Sequence, residues 1–231
     1  VDFETIYRQH PETYEALVAR EDYQGNLTAA LLDLLPPGGG DVVDIGTGTG
    51  RVARLLAGCA RRTSASDRSL AMLRTAARVA RGTIDWLAAD NRRLPFRAAC
   101  ADLVVAGWSM GHSVAWYPTN WPDEIGVALG EMARLARPGG VVAVIETLGT
   151  GSETPLPPTQ ELADYYRWLE QGNGFVRQWM RTDYLFDDAD QAERLIRFFF
   201  GDEMGDQVRA ADLRLVPECT GLWTRRLGGE A

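Results

Sequence analysis

The sequence predicts an α/β protein built on a mainly parallel sheet with helices on both faces, and three observations support this. Between residues 41 and 147, short apolar runs suited to buried strands alternate with stretches of helical periodicity. The first run leads into a glycine-rich loop, VVDIGTGTGR at 42–51, and from there into a helical pattern. The second and third runs end on acids, Asp67 and Asp90, at the strand ends outside which open α/β sheets bind ligands.

Residues 3–35 read as helices. FETIYRQH stops before Pro11, and PETYEALVARE and NLTAALLDLL carry apolar residues at helical spacing. PPGGG at 36–40 is the first strong punctuation. DVVDI (41–45) then reads as a buried parallel strand, and RVARLLAGCA (51–60) as the helix after the glycine loop. TSASD (63–67) is a second strand, SLAMLRTAARVA a helix with Ser69 as N-cap, and IDWLAAD (84–90) a third strand. ADLVVAGW (101–108) is a fourth strand, PDEIGVALGEMARLA (122–136) a helix, and GGVVAVIET (139–147) a fifth strand after the Pro138-Gly139 stop. Beyond 150 come a loop, the helix TQELADYYRWLEQ, a long strand FVRQWMRTDYLF, the helix DADQAERLIRFFFGDEM and a last strand RLVPECTGLWTRR interrupted at Pro217. The sequence contains no internal repeat.

A chain of 231 residues with 45% hydrophobic and 24% charged residues is expected to fold as one globular domain. Its net charge of −8 opposes the phosphate neutralisation that nucleic-acid binding requires, which excludes DNA and RNA as partners. All 24 basic residues are arginine, so no lysine mechanism is available. Cys59, Cys100 and Cys219 are too far apart for a zinc cluster and odd in number, which predicts buried thiols in a reducing compartment. No apolar run approaches the roughly 18 residues that span a bilayer, and residues 1–12 carry acids where a secretory signal needs a basic and then an apolar stretch. A cytoplasmic protein without a membrane partner is expected.

The glycine loop excludes some ligands. A phosphate-binding P-loop needs Lys-Ser/Thr after its second glycine, and there is no lysine. The dinucleotide fingerprint G-x-G-x-x-G has Gly46 and Gly48 in place and Asp67 at a suitable distance for a ribose hydroxyl, but its third glycine falls on Arg51. Gly50 makes the pattern G-x-G-x-G instead, with Asp44 two residues upstream. An NAD-dependent oxidoreductase remains the rival reading.

VVDIGTGTGR, ASDRSLAML, LAADNRRLPF and LARPGGVVAVIE together, in this order, resemble the class I S-adenosylmethionine-dependent methyltransferases, of the UbiE-like small-molecule kind. The resemblance implies a Rossmann-like fold: a seven-stranded, mainly parallel sheet with helices on both faces and an antiparallel C-terminal strand. It divides the domain into a helical cap (1–36), a cofactor-binding core (37–150) and extra helices and end strands (151–231). The implied cofactor is S-adenosyl-L-methionine, leaving as S-adenosyl-L-homocysteine. Asp44, Gly46, Thr47 and Gly48 would line its amino-acid end through backbone and water, and Asp67 would accept from both ribose hydroxyls. Asp90 would accept from the adenine amino group with Asn91 beside it, Arg68 and Leu94 would flank the ring, and Trp108 and Ser109 would border the sulfonium. Asp67 or Asp90 alone would more often be a helix cap or a solvated turn acid, but their places at the ends of consecutive parallel strands favour the cofactor role. Arg51 is expected to face solvent, and Glu146 either to face the cleft or to close an ion pair.

Methyl transfer from a sulfonium is an in-line displacement, dominated by positioning, and needs a base only when the nucleophile must lose a proton. His112, just after the fourth strand, is the catalytic candidate; the alternative is a structural histidine. Tyr7, Tyr14 and Arg20 are the cap residues able to touch cofactor. Trp116, Tyr117, Trp121 and Tyr165 could wall a pocket for a small apolar or aromatic acceptor. The Asn/Asp-Pro-Pro-aromatic motif of nucleic-acid and amide methyltransferases is replaced by GWSM, and Glu146 with Asp183 makes no convincing metal cluster, so no metal is expected. A non-catalytic binding module is the second rival.

Overall fold

In chain order the protein, seen in a computed structural model that describes residues 2–228, runs α1 (Phe3–Gln9), α2 (Pro11–Val18), α3 (Asn26–Leu32), β1 (Asp41–Ile45), α4 (Arg51–Ala57), β2 (Arg62–Asp67), α5 (Leu70–Val79) and β3 (Ile84–Ala88). There follow β4 (Ala101–Gly107), α6 (Gly111–Trp116), α7 (Trp121–Leu135), β5 (Ala136–Thr150), α8 (Gln160–Asn173) and β6 (Val176–Arg181). The chain closes with β7 (Tyr184–Leu185), α9 (Ala189–Phe200), α10 (Asp202–Ala210), β8 (Leu215–Val216) and β9 (Glu218–Arg226). Seven strands form one sheet in the order β3-β2-β1-β4-β5-β9-β6, and β7 pairs with β8 separately. The first five strands of that order are parallel, while β9 runs antiparallel to both β5 and β6. The order reverses direction between β1 and β4, which opens the crevice where ligands bind in such sheets.

Strand periodicity divides the apolar residues between two layers. Val43, Val104, Val142 and Val144 face one layer with Tyr165, Tyr166 and Trp223, while Val42, Leu103, Val105 and Ala143 face the other with Leu27, Leu31 and Leu56. Both faces of the central strands are therefore covered, as their continuous apolar runs require. Ser69 caps α5 as expected, its Oγ accepting from the Met72 N–H. A third apolar cluster joins Leu17 of α2 to Tyr184, Phe186, Leu195, Ile196 and Val208, so the N-terminal helices lean on the C-terminal segment.

The structure corrects four boundaries. The fifth strand spans Ala136–Thr150, not 139–147, because the β4–β5 register jumps from Ala101↔Ala136 to Leu103↔Val141 and absorbs the Pro-Gly-Gly stretch as an irregularity. The long strand expected over 175–186 breaks at Thr182 and Asp183. There the Thr182 hydroxyl pairs with that of Thr220 at 2.6 Å, and Asp183 takes the Arg181 guanidinium at 2.7 and 2.9 Å and the Glu218 N–H at 3.0 Å. The helix expected over 188–204 is two helices, split at Gly201, whose φ of 93° no helix accommodates. The stretch after β4, read as loop, contains the short helix α6. Of the three free cysteines only Cys219 is buried, while Cys59 is exposed. No helix among the described residues is long and apolar enough to cross a membrane.

Candidate functional site

The turn from β1 into α4 is shaped by what it touches. Gly46 sits at φ 61°, and a Cβ there would lie 2.6 Å from Ser109 Cβ and 2.8 Å from Asn91 Nδ2, so the loop backbone is pressed against the segments following β4 and β3. Gly50, at φ 82°, faces the Trp86 ring 2.5 Å from where its Cβ would be. Asp67, at the tip of β2, accepts the Gly48 N–H at 2.8 Å on one oxygen and the Ser69 N–H at 2.7 Å on the other, which orients the carboxylate without using all its lone pairs. Burial pushes its pKa up.

Asp44 lies beneath this loop. Its Oδ2 accepts from Thr47 Oγ1 at 2.5 Å and from the Ala53 N–H at 3.0 Å, while Oδ1 is sealed and has no protein partner. Burial raises this carboxyl to about 7. A buried acceptor without a donor is uncommon, and it points to a donor supplied from outside the chain.

Above these residues, at the carboxyl ends of the strands, lies a cavity of about 510 Å³ roofed by the N-terminal helices. Asp44, Gly46, Thr47, Gly48, Asp67, Arg68, Asp90, Asn91, Trp108, Ser109 and His112 all line it, together with Tyr7, Tyr14, Trp116 and Tyr117. Asp90 is more engaged than expected. Arg92 donates to it through Nε at 2.9 Å and Nη2 at 2.6 Å and reaches Glu124 at 2.6 Å, and this guanidinium holds Asp90 below the usual carboxylate range. Arg68 pairs with Glu4 of α1 at 3.0 Å and lies over the Trp116 ring.

Five expectations fail. Leu94 is 5% exposed and packs in the core, away from the cavity. Arg20 points outward into a two-pronged pair with Asp187 at 2.5 and 2.6 Å. Trp121 and Tyr165 stack edge-on in the core and do not wall the cavity. Glu146 makes no ion pair and does not line the cavity; it is buried, accepts the Gly111 N–H at 2.8 Å, and is pushed by burial to about 8. Arg51, expected in solvent, is the largest departure. It lines the cavity, lies 3.4 Å over the Trp108 ring and pairs with the buried Glu21. Trp108 itself holds a φ of 49°, a strained conformation for a bulky residue.

His112, on α6, hydrogen-bonds Tyr7 Oη through Nε2 at 2.7 Å and stacks on Trp116 with ring centroids 5.2 Å apart. Burial lowers it to about 4 and raises Tyr7 well above its ordinary range, so both are neutral near pH 7. The hydrogen bond ties the cap to the segment after β4. No group of three or more potential metal-ligating side chains occurs among the described residues.

Residues 43–144 match a protein family described as a methyltransferase domain. The chain is 33% identical over 135 residues to a malonyl-[acyl-carrier protein] O-methyltransferase of Pectobacterium atrosepticum, covering 58% of this chain and 49% of that one. It is 27% identical over 143 residues to the ubiquinone/menaquinone biosynthesis C-methyltransferase UbiE of Rubrivivax gelatinosus, covering 58% and 53%. It thus spans about half the length of the curated relatives it matches. Its fold superposes with a TM-score of 0.58 and 18% identity on phosphoethanolamine N-methyltransferase 2 of Haemonchus contortus, solved in complex with S-adenosyl-L-methionine, covering 100% of this chain and 60% of that one.

Proposed function

We propose that the chain, whose residues 43–144 match a methyltransferase domain, is a class I S-adenosylmethionine-dependent methyltransferase: a cytoplasmic, single-domain enzyme that methylates a small acceptor with an apolar or aromatic body. One observation carries the reading. Asp67 stands at a strand tip, oriented by the glycine loop, in a cavity where Asp44 keeps an unpaired sealed oxygen and Gly46 has no room for a side chain. These residues suit S-adenosylmethionine: a carboxylate for a ribose diol, a glycine loop that lets the ligand approach the backbone, and aromatic and aliphatic walls for adenine.

When bound, the cofactor supplies an electrophilic methyl on a sulfonium. The chain's own residues position and exclude water. Asp67 would hold the ribose and Asp44 the amino group, with Asp90 and Asn91 at the adenine edge and Trp108 and Ser109 beside the reacting centre. Tyr7 and Tyr14 would close the roof. His112 has the nitrogen facing Tyr7 already engaged, so general-base action would require that bond to open first.

Calorimetric titration with S-adenosylhomocysteine tests this reading. The wild type is expected to bind, and Asp67→Ala to weaken binding about 10- to 100-fold, since hydrogen bonds to a charged group are worth about 1.5–3 kcal/mol. Tight binding of a nicotinamide dinucleotide with no response to S-adenosylhomocysteine would overturn it in favour of an oxidoreductase.

A further inference from the structure

Arg51 follows the glycine loop directly as the first residue of α4. Its guanidinium is held from two sides, by the Trp108 ring 3.4 Å below and by Glu21, which takes Nη1. Glu21 is itself buried, its side chain 2% exposed, so the pair is fixed and shielded from salt. Among the described residues Nε and Nη2 find no acceptor and neither is a sealed atom, and Arg51 is a lining residue of the cavity. The other arginines there are differently disposed. Arg92 is consumed by Asp90 and Glu124, Arg68 pairs with Glu4 on the exposed side, and Arg8 lines the cavity from the exposed face of α1 with no ring or acid to brace it among the described residues.

A guanidinium held over an aromatic ring keeps its N–H donors in its own plane, and two adjacent donors there match a planar two-oxygen anion. Arg51 and Asp44 stand close enough across the loop for the guanidinium to act on the carboxyl. A simple clamp for the cap would need only the Glu21 contact and would leave no open donors on the cavity side.

We propose that Arg51, braced by Trp108 and Glu21, is a carboxylate receptor inside the cavity, in place of the backbone-and-water cradle that the glycine loop alone implies. The carboxylate has two possible sources, the methionine end of the cofactor or an acidic acceptor. The inference rests on the methyltransferase reading for the identity of the cavity's ligands.

Calorimetry on the full chain separates the possibilities, comparing wild type, Arg51→Gln and Glu21→Gln. The probes are S-adenosylhomocysteine, 5′-methylthioadenosine, which lacks the amino-acid end, and the pair benzoate and benzamide added to the S-adenosylhomocysteine complex. Arg51→Gln is expected to weaken the carboxylate-bearing ligand about 10- to 100-fold while leaving 5′-methylthioadenosine within about twofold. A loss in the ratio of S-adenosylhomocysteine to 5′-methylthioadenosine assigns the carboxylate to the cofactor. A loss in the ratio of benzoate to benzamide assigns it to the acceptor. Glu21→Gln, which leaves the guanidinium uncompensated, is expected to bind the same carboxylate at least as tightly as wild type, which guards against a folding defect in Arg51→Gln. Equal weakening of 5′-methylthioadenosine and S-adenosylhomocysteine in both variants, without benzoate preference, overturns the receptor and leaves Arg51 a structural clamp. Failure of wild type to bind either nucleoside is distinguishable from this, because it removes the methyltransferase reading and the proposal with it.

Discussion

Asp44 links the cavity to pH in a way that can be worked through. Its carboxyl is raised from 3.8 to about 7, chiefly by burial, and it lies beneath the glycine loop proposed to meet a ligand ammonium, where its charge would act on that group. At a pKa near 7, roughly one-tenth of the carboxyl is ionised at pH 6 and nine-tenths at pH 8. If only the ionised form takes the ammonium, S-adenosylhomocysteine binds about tenfold more tightly at pH 8, a difference of about 1.4 kcal/mol. Binding at pH 6 should then release close to one proton, which calorimetry in two buffers of different ionisation enthalpy would count. 5′-Methylthioadenosine, without the ammonium, should show no such release. The sign for stability is opposite. A folded pKa above the unfolded one gives stability that is full below about 4 and is lost as pH rises towards about 7. An affinity for S-adenosylhomocysteine that is flat from pH 6 to 8, or an equal slope in Asp44→Asn, would refute the assignment.

Glu146 follows the same sign, raised from 4.5 to about 8 by burial. Glu146→Gln should therefore gain stability relative to wild type as pH rises from 5 to 8, by at most about 1.4 kcal/mol per pH unit, read from melting temperatures across that range. Tyr7→Phe leaves His112 Nε2 without its cap partner and should weaken S-adenosylhomocysteine binding about 2- to 10-fold through faster release, measured by stopped flow. His112→Ala should slow only acceptors that must shed a proton; turnover unchanged across the pH range for such acceptors would remove His112 from the chemistry.

The parallel core was legible because β1, β4 and β5 carry apolar runs bounded by their own punctuation, with helical patterns between the strands, and because two acids mark strand tips beside three alternating glycines. What escaped depends on side chains meeting across the chain. DYLF reads as strand, yet Asp183 satisfies Arg181 and the Glu218 N–H, contacts 2 and 35 residues away, and these turn the chain out of the sheet. Arg51 reads as a surface residue because its partners, Glu21 and Trp108, lie far along the sequence. Its place immediately after the glycine loop was the available signal, since that position begins a helix at the ligand-facing turn. Leu94 shows the reverse: it closely follows Asp90 and Asn91 in sequence, but apolar packing claims it for the core, as it does Tyr165 of α8. Arg92, two residues after Asp90, was a pairing that spacing alone could have raised.

The roof over the cavity is fastened unevenly. Acids at positions 4 and 12 meet Arg68 and Arg78 where more than half of each side chain is open to water, whereas Glu15 with Arg54 and Glu21 with Arg51 are enclosed. Dissolved ions screen the first two contacts and scarcely reach the last two. Raising ionic strength should therefore loosen the outer rim of the roof at Glu4 and Glu12, while the Tyr7–His112 bond and the enclosed acid–arginine pairs keep its inner side fastened.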